Sequence, residues 1–327
     1  MGAGVLWGLT GVLARAAYNA GDVAPLFVSF LRMGLAVPVL LVAWALIERP
    51  NQPAGGGTRA GGRPAGRVGK RGAWLFFVFG VVAALYQVLY FSAVSLTTVT
   101  SATLILALAP LFVALWGRLF LGEVIGRRTL AWGTVAVLGA ALVVVGGAGG
   151  AGDAVKEFAT GDGAAKVSGN SAWRSLLGDV LALGAAVAYS LYYVLARQAF
   201  RLVGPLNTSI RVFSWAAFLL GVVALATGQL RAALPPAGWL ALLGMGLVGT
   251  GAAYVFYFTA LARTKAVLVS LGGLLEPVTA AALAWLVFGE SLGVAGVIGA
   301  VMLLAALTLL SVRPRPARVQ TPPAQAE

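Results

Sequence analysis

The sequence contains no cysteine and no histidine. The first absence excludes disulfides and thiol chemistry; the second excludes imidazole metal sites and histidine proton relays. Charge is scarce as well. Charged residues fill 10% of the 327 positions, against about 25% in a soluble domain, which leaves too little polar surface to face water. Catalytic motifs are also missing: there is no phosphate loop, no HExxH and no nucleophile elbow. The GAGGAG run at 147–152 follows an apolar helix rather than a strand, so it lacks the context of a dinucleotide site. No metal, no cofactor and no enzyme activity are expected.

What the chain has in abundance is apolar length. Hydrophobic residues make up 60% of it and its mean hydropathy is +0.93. Turn residues and charges divide it into ten apolar segments, at 3–19, 25–47, 73–95, 100–121, 129–148, 177–199, 207–228, 237–261, 266–288 and 292–312. Each has about 17–25 residues, enough to cross a core of about 30 Å as a helix. The 44 glycines fit membrane helices, and Gly244, Gly246, Gly249 and Gly251 are expected to permit close helix contact, Gly244 and Gly251 sharing a face. The first apolar run has no basic stretch before it and passes through Arg15, so it is expected to stay as a helix. The Gly-, Pro- and Arg-rich linker 49–72 and the tail 313–327 are expected to be disordered.

The formal charge of +13 is read as topological. Lys and Arg cluster in alternate connections: 49–72, Arg127 and Arg128, Arg197 and Arg201, Arg263 and Lys265, then Arg313, Arg315 and Arg318. Connections 20–24 and 96–99 hold neither, and 149–176 balances both signs. The positive-inside rule therefore puts both termini in the cytoplasm and 149–176 in the periplasm. No aromatic–basic interleaving suits nucleic acid, so none is expected as a partner; membrane lipids are.

The two halves echo each other. At one fixed offset Tyr90, Phe91, Pro110, Gly122 and Glu123 meet Tyr257, Phe258, Pro277, Gly289 and Glu290. VLARAA (12–17) likewise echoes VLARQA (194–199). Five spans per half is an odd number, so the halves run in opposite senses. Inverted repeats of this kind mark secondary transporters, with substrate near the midplane. The expected domains are 1–148 and 177–312.

Glu276 lies ten residues into its span, about 15 Å from either end. Facing lipid there, an ionised carboxylate costs at least about 2.5 kcal/mol, so it must face the bundle interior. It is a candidate for binding a proton or a substrate cation, with a structural ion pair as the bland alternative. Its repeat mate is Ala109. Pro110 and Pro277 each remove an amide donor inside a span, and Gly272 and Gly273 loosen the turn before Pro277. A helix break at a midplane cavity is one reading; a packing kink is the other. Trp7, Tyr86, Tyr90, Tyr254 and Tyr257 fall on helical faces able to wall such a cavity, or to pack helices together. Arg32 lies a turn or two from a span end, placed to meet a substrate carboxylate. Glu123 and Glu290 are expected to cap neighbouring helix N-termini.

These motifs together resemble the EamA-like branch of the drug/metabolite transporter superfamily: Trp7-Gly8, Arg32, Tyr90-Phe91 leading to Pro110 and Gly122-Glu123, and Tyr257-Phe258 leading to Glu276-Pro277 and Gly289-Glu290. The resemblance spans about residues 4–312, and the long 49–72 and 147–176 connections depart from it. It implies ten helices in two inverted five-helix repeats, seated in the inner membrane and moving a small metabolite, such as an amino acid or related compound, frequently outward. H+ is a candidate coupling ion, and a monomer or homodimer is expected. An uncoupled facilitator or exchanger, and a non-transporting membrane enzyme or scaffold, remain as alternatives from the residues alone.

Overall fold

In the computed structural model the described residues are 1–48, 58–59, 63–64, 69–96, 102, 105–146, 169–288 and 293–311. Among them the helices are α1 (Gly2–Ala20), α2 (Pro25–Glu48), α3 (Lys70–Leu96), α4 (Ala109–Leu121), α5 (Arg127–Gly146), α6 (Gly169–Ala199), α7 (Pro205–Ala226), α8 (Pro236–Arg263), α9 (Ala266–Gly273, then Leu275–Phe288) and α10 (Val294–Ser311). The protein is an all-α membrane protein. Seven of these helices are long and apolar enough to cross a bilayer, and α4 and α10 are shorter apolar ones. α1, with 19 residues, is long enough, but its glycines and Arg15 make it less apolar.

Each helix falls on one of the ten segments expected. α6 differs most: it starts at Gly169 rather than near 177, because nothing in GNSAWRSL breaks a helix. That early part carries an exposed Trp173 and Arg174. Helix starts elsewhere follow simple chemistry. Pro25, Pro205 and Pro236 each stand in a first turn, where a missing N–H costs nothing.

The order of packing reveals the architecture. α1 packs on α8 and α9, and α6 packs on α3 and α4. α2 packs on α7 and α8, and α7 packs on α2 and α3. α4 packs on α9, and α5 on α10. Exchanging each helix with the one five places along leaves this whole pattern unchanged. The fold is two five-helix halves related by a pseudo-two-fold, with α2–α7, α4–α9 and α5–α10 meeting across it. Because five is odd, equivalent helices cross in opposite directions. Where α5 meets α10, Gly139 and Gly299 lie so close that a Cβ on either would collide with the other helix's backbone.

With ten crossings, Met1 and Ser311 emerge on one face, called here the terminal face. On the opposite face, Asp22–Val23 pairs antiparallel with Ala232–Ala233, joining the α1–α2 and α7–α8 connections. On the terminal face, Glu48 Oε2 accepts the Leu206 amide at 2.8 Å, capping α7. Glu123 Oε1 accepts the Ala266 amide at 3.3 Å and so caps α9, as expected of it. The same oxygen stands 3.6 Å from Arg197 Nη2. Arg197 also donates to the Thr264 carbonyl, and Lys265 Nζ donates to the Val124 carbonyl at 2.9 Å. Gly122, at φ 64°, makes the turn that aims Glu123. Glu290 lies outside the described residues, and so does the Arg15 side chain.

α8 holds a feature absent from the sequence reading. Met245–Ala252 is π-helical, and Thr250 Oγ1 donates to the Met245 carbonyl five residues back at 3.0 Å. The π winding changes which glycines share a face. Gly244 and Gly249 meet Leu13 and Thr10 of α1, while Gly246 and Gly251 meet Leu35 and Val39 of α2. Pairs five apart therefore replace the expected seven-residue spacing between Gly244 and Gly251. The wider turn lets one helix sit in the groove between two others.

Candidate functional site

The spans that carry Pro110 and Pro277 are interrupted, whereas α2 stays helical through Pro38. In α9 the first piece ends at Gly273, Leu274 forms a turn whose amide reaches the Leu271 carbonyl at 3.1 Å, and the second piece starts at Leu275. Ahead of α4, Ala107 and Leu108 form the equivalent turn, with the Leu108 amide 3.1 Å from the Ile105 carbonyl. A proline ring has no N–H and collides with the carbonyl four residues earlier. Pro110 and Pro277 therefore sit in the first turn of a new helix rather than inside an old one.

The breaks border a cavity of about 430 Å³ between the halves. Pro110 and Pro277 line it, and so do Trp7 and Thr10 from α1, Arg32 from α2, Tyr86, Gln87 and Tyr90 from α3, Tyr189 from α6, Tyr254 from α8, and Ser270, Gly273 and Glu276 from α9. Phe91, Val143 and Val144, near the opposite-face ends of α3 and α5, extend it toward that face. Its volume falls within the range of small-molecule pockets, mostly apolar with a few polar groups.

Among the described residues, Glu276 is the only acid and Arg32 the only cation on the wall. Glu276 is exposed, and the space it opens to is this cavity. Among the described residues no ion pair joins it to Arg32. The Arg32 Nε and the Gln87 side-chain nitrogen are buried without a hydrogen-bond partner. The Thr10 hydroxyl, by contrast, is committed to the Gly249 carbonyl at 3.0 Å, and Ser270 to the Val267 carbonyl at 2.8 Å.

An aromatic layer closes the cavity on one side. Trp7 lies 5.4 Å from Tyr254 and 5.5 Å from Tyr257 between ring centroids. Tyr257 continues to Tyr193 at 5.5 Å and Phe258 at 5.2 Å, and Tyr254 to Phe213 at 4.6 Å. Many of these pairs are edge-on, the arrangement the ring quadrupoles favour.

The structure thus brings Trp7, Arg32, Tyr86, Tyr90, Tyr254, Glu276, Pro110, Pro277 and Gly273 to one wall. Two expected residues stand behind it. Tyr257 is enclosed by aromatic neighbours at 1% exposure, because its face of α8 turns toward α6 rather than toward the cavity. Gly272 meets α1, its carbonyl against Gly4. Gln87, Tyr189 and Thr10 also line the cavity, outside the candidates singled out from the sequence. The repeat itself pointed to two of them. Tyr189 is the mate of Trp7 at the offset that joins VLARQA to VLARAA, and Gln87 is the mate of Tyr254 at the offset that joins Tyr90 to Tyr257.

A model of the EamA-like transporter family matches residues 1–145 and again 176–312. The chain belongs to the EamA-like transporter family. Similarities to individual curated proteins are partial in length. An "uncharacterized transporter" of Clostridium kluyveri is 35% identical over 137 residues, which is 40% of this chain and 42% of that protein. The pseudopaline exporter CntI of Pseudomonas aeruginosa is 39% identical over 75 residues, which is 23% of this chain and 26% of that protein. The chain thus aligns with less than half the length of either. In three dimensions the fold resembles one solved by crystallography, with a TM-score of 0.70 over 94% of both chains at 18% identity. This EamA-like chain is a multi-pass membrane protein of a transporter family.

Proposed function

We propose that the chain is a secondary active transporter that moves a small metabolite outward across the plasma membrane by alternating access, with Glu276 binding H+ or a cationic group of the cargo. The observation that carries the reading is the position of Glu276: a carboxylate, alone on the wall among the described residues, deep in the span and lining a cavity between two inverted halves. A carboxylate at that depth is tolerated where it has water or a ligand to meet. The partial match to a pseudopaline exporter favours the outward direction. The basic connections favour termini in the cytoplasm, so the terminal face would be the inner one. Residues 1–148 and 177–312 are then the two repeats that rock against each other, with Trp7, Arg32, Tyr86, Tyr90 and Tyr254 lining the path and Tyr257 bracing it.

The test is Glu276→Gln in proteoliposomes loaded with a labelled metabolite mixture. The variant is expected to fold and to lose the pH dependence of efflux. Undiminished efflux that still responds to pH would remove Glu276 from the mechanism. Wild-type efflux indifferent to an imposed pH gradient would instead favour an uncoupled facilitator or exchanger.

A further inference from the structure

We propose that α8 carries one movable extra residue, held in its π turn by Thr10 of α1, and that release of this hold turns Tyr254 off the cavity wall and Ala253 onto it as the halves rock. Thr10 is thereby a positioning residue. The use of this device in transport rests on the alternating-access reading.

The extra residue shows in the repeat. Gly80 of α3 lies against Trp215 of α7, and Gly246 of α8 lies against Leu35 of α2. These are mirrored contacts of mirrored helices, with the two glycines 166 residues apart. Further along the same helices, Tyr90-Phe91 and Tyr257-Phe258 are 167 residues apart. The second half therefore has one residue more between the two landmarks. α3 is α-helical across this stretch, whereas α8 winds as π over Met245–Ala252. A π turn closes five residues back instead of four, so it takes up one extra residue and keeps the faces on either side of it in register.

The other half of the molecule holds that turn in place. In an α-helix the Ala253 amide would meet the Gly249 carbonyl, four residues back. Here it reaches the Val248 and Thr250 carbonyls instead. The Gly249 carbonyl takes the Thr10 hydroxyl at 3.0 Å, and a side chain at Gly249 would collide with that hydroxyl. Thr10 also has a second acceptor in reach, the Leu6 carbonyl of its own helix at 3.3 Å. Thr10 belongs to one half and the π turn to the other. A displacement between the halves moves the hydroxyl from Gly249 back to Leu6, and the turn loses its outside donor.

The wall then changes. When the π turn moves toward the terminal face, each residue that it passes turns by about 100°, the angle of one residue. Ala253 takes the direction that Tyr254 had. Tyr254 lines the cavity and Ala253 is wholly buried, so the exchange trades a phenol for a methyl group on the wall. Trp7, three residues from Thr10 on α1, lies 5.4 Å from Tyr254. One helix thus touches both the hold and the residue that turns.

The chain has no cysteine, so Ala253→Cys supplies a single thiol. The full chain in lipid nanodiscs is treated with a membrane-impermeant methanethiosulfonate, and labelling is followed by the mass shift. With Thr10 in place the thiol is expected to react slowly. Thr10→Val keeps the shape and removes the donor. It is expected to speed labelling about two- to tenfold, the range of one lost hydrogen bond, and Thr10→Ser is expected to restore the slow rate. Deletion of Val248, 43% exposed within the turn, removes the extra residue. That protein is expected to fold, and Thr10→Val is expected no longer to speed labelling in it. Deletion of Val81, the counterpart in α3, has no surplus to remove and turns the rest of that helix by about 100°, so it is expected to lower the thermal midpoint sharply. Unchanged labelling in a folded Thr10→Val variant would overturn the proposal. Equal acceleration by valine and serine would make Thr10 a packing residue and do the same. So would deletions of Val248 and Val81 that are tolerated alike or rejected alike; these two melts need no thiol and decide the case if Ala253→Cys does not fold. None of these measurements needs a cargo. The expected labelling pattern together with no efflux of any metabolite from proteoliposomes would strike the transport reading and leave the movable turn supported.

Discussion

On the terminal face one carboxylate, Glu123, does two jobs, which makes its share in the proposed alternating access testable. Glu123 Oε1 caps α9 through the Ala266 amide and stands 3.6 Å from Arg197 Nη2, joining the α4–α5 connection of one half to α6 and α9 of the other. At that separation Coulomb's law gives a gross attraction of about 4.6 kcal/mol for an effective dielectric constant of about 20. The side chains are 26% and 13% exposed, so ordering and desolvation offset most of this, leaving about 0.2–1 kcal/mol for the pair. The charge at the α9 N-terminus adds about 0.3–1 kcal/mol. On the proposed alternating-access cycle, Glu123→Gln should therefore shift the balance between states closed and open at this face by about 0.5–2 kcal/mol, or about 2–30-fold. Because the chain has no cysteine, Arg127→Cys and Arg263→Cys, both exposed on this face, take spin labels cleanly. Double electron–electron resonance should then show a new, longer distance population with Gln at 123. A distribution that does not move in a folded variant would refute the clamp.

Other expectations follow from packing and from the broken symmetry. Gly299→Leu has no space against Gly139 and Leu142 and should destabilise the α5–α10 contact by about 1–3 kcal/mol or more, read as a lower midpoint in detergent melts; Gly126→Ala, facing open space, should leave the midpoint where it is. Arg211→Gln loses the Asn207 bond and the Phe76 contact, so it should lower stability by about 1–3 kcal/mol while leaving relative binding of charged and neutral probes unchanged. Arg32→Gln should do the reverse, altering selectivity with little change in the melt.

The fold was largely legible because a bilayer imposes strict lengths. A chain must spend about 20 apolar residues on each crossing, so the ten helices follow from counting and the inversion from the odd number per half. The interruptions near Pro110 and Pro277 were legible for a covalent reason. The π winding of α8 was not: GMGLVGTGA reads equally well as an α-helix, and only its placement between α1 and α2 selects the wider turn. Tyr257 was the repeat mate of a residue on the wall, yet it faces α6, since the halves share a backbone plan but not their partners. Gln87 was overlooked because a single polar residue in LYQVLYF carries less sequence signal than its aromatic neighbours.

The mirrored packing carries a consequence for how little is needed to reverse the machine. Any contact made across the halves on one side of the bilayer has a counterpart available on the other, built from the same helix types. Two arrangements related by that exchange differ only where the halves differ in side chains, so their depths are nearly matched from the outset. If the halves rock as proposed, so even a balance lets a single charge or a single bound molecule tip the protein from one arrangement to the other.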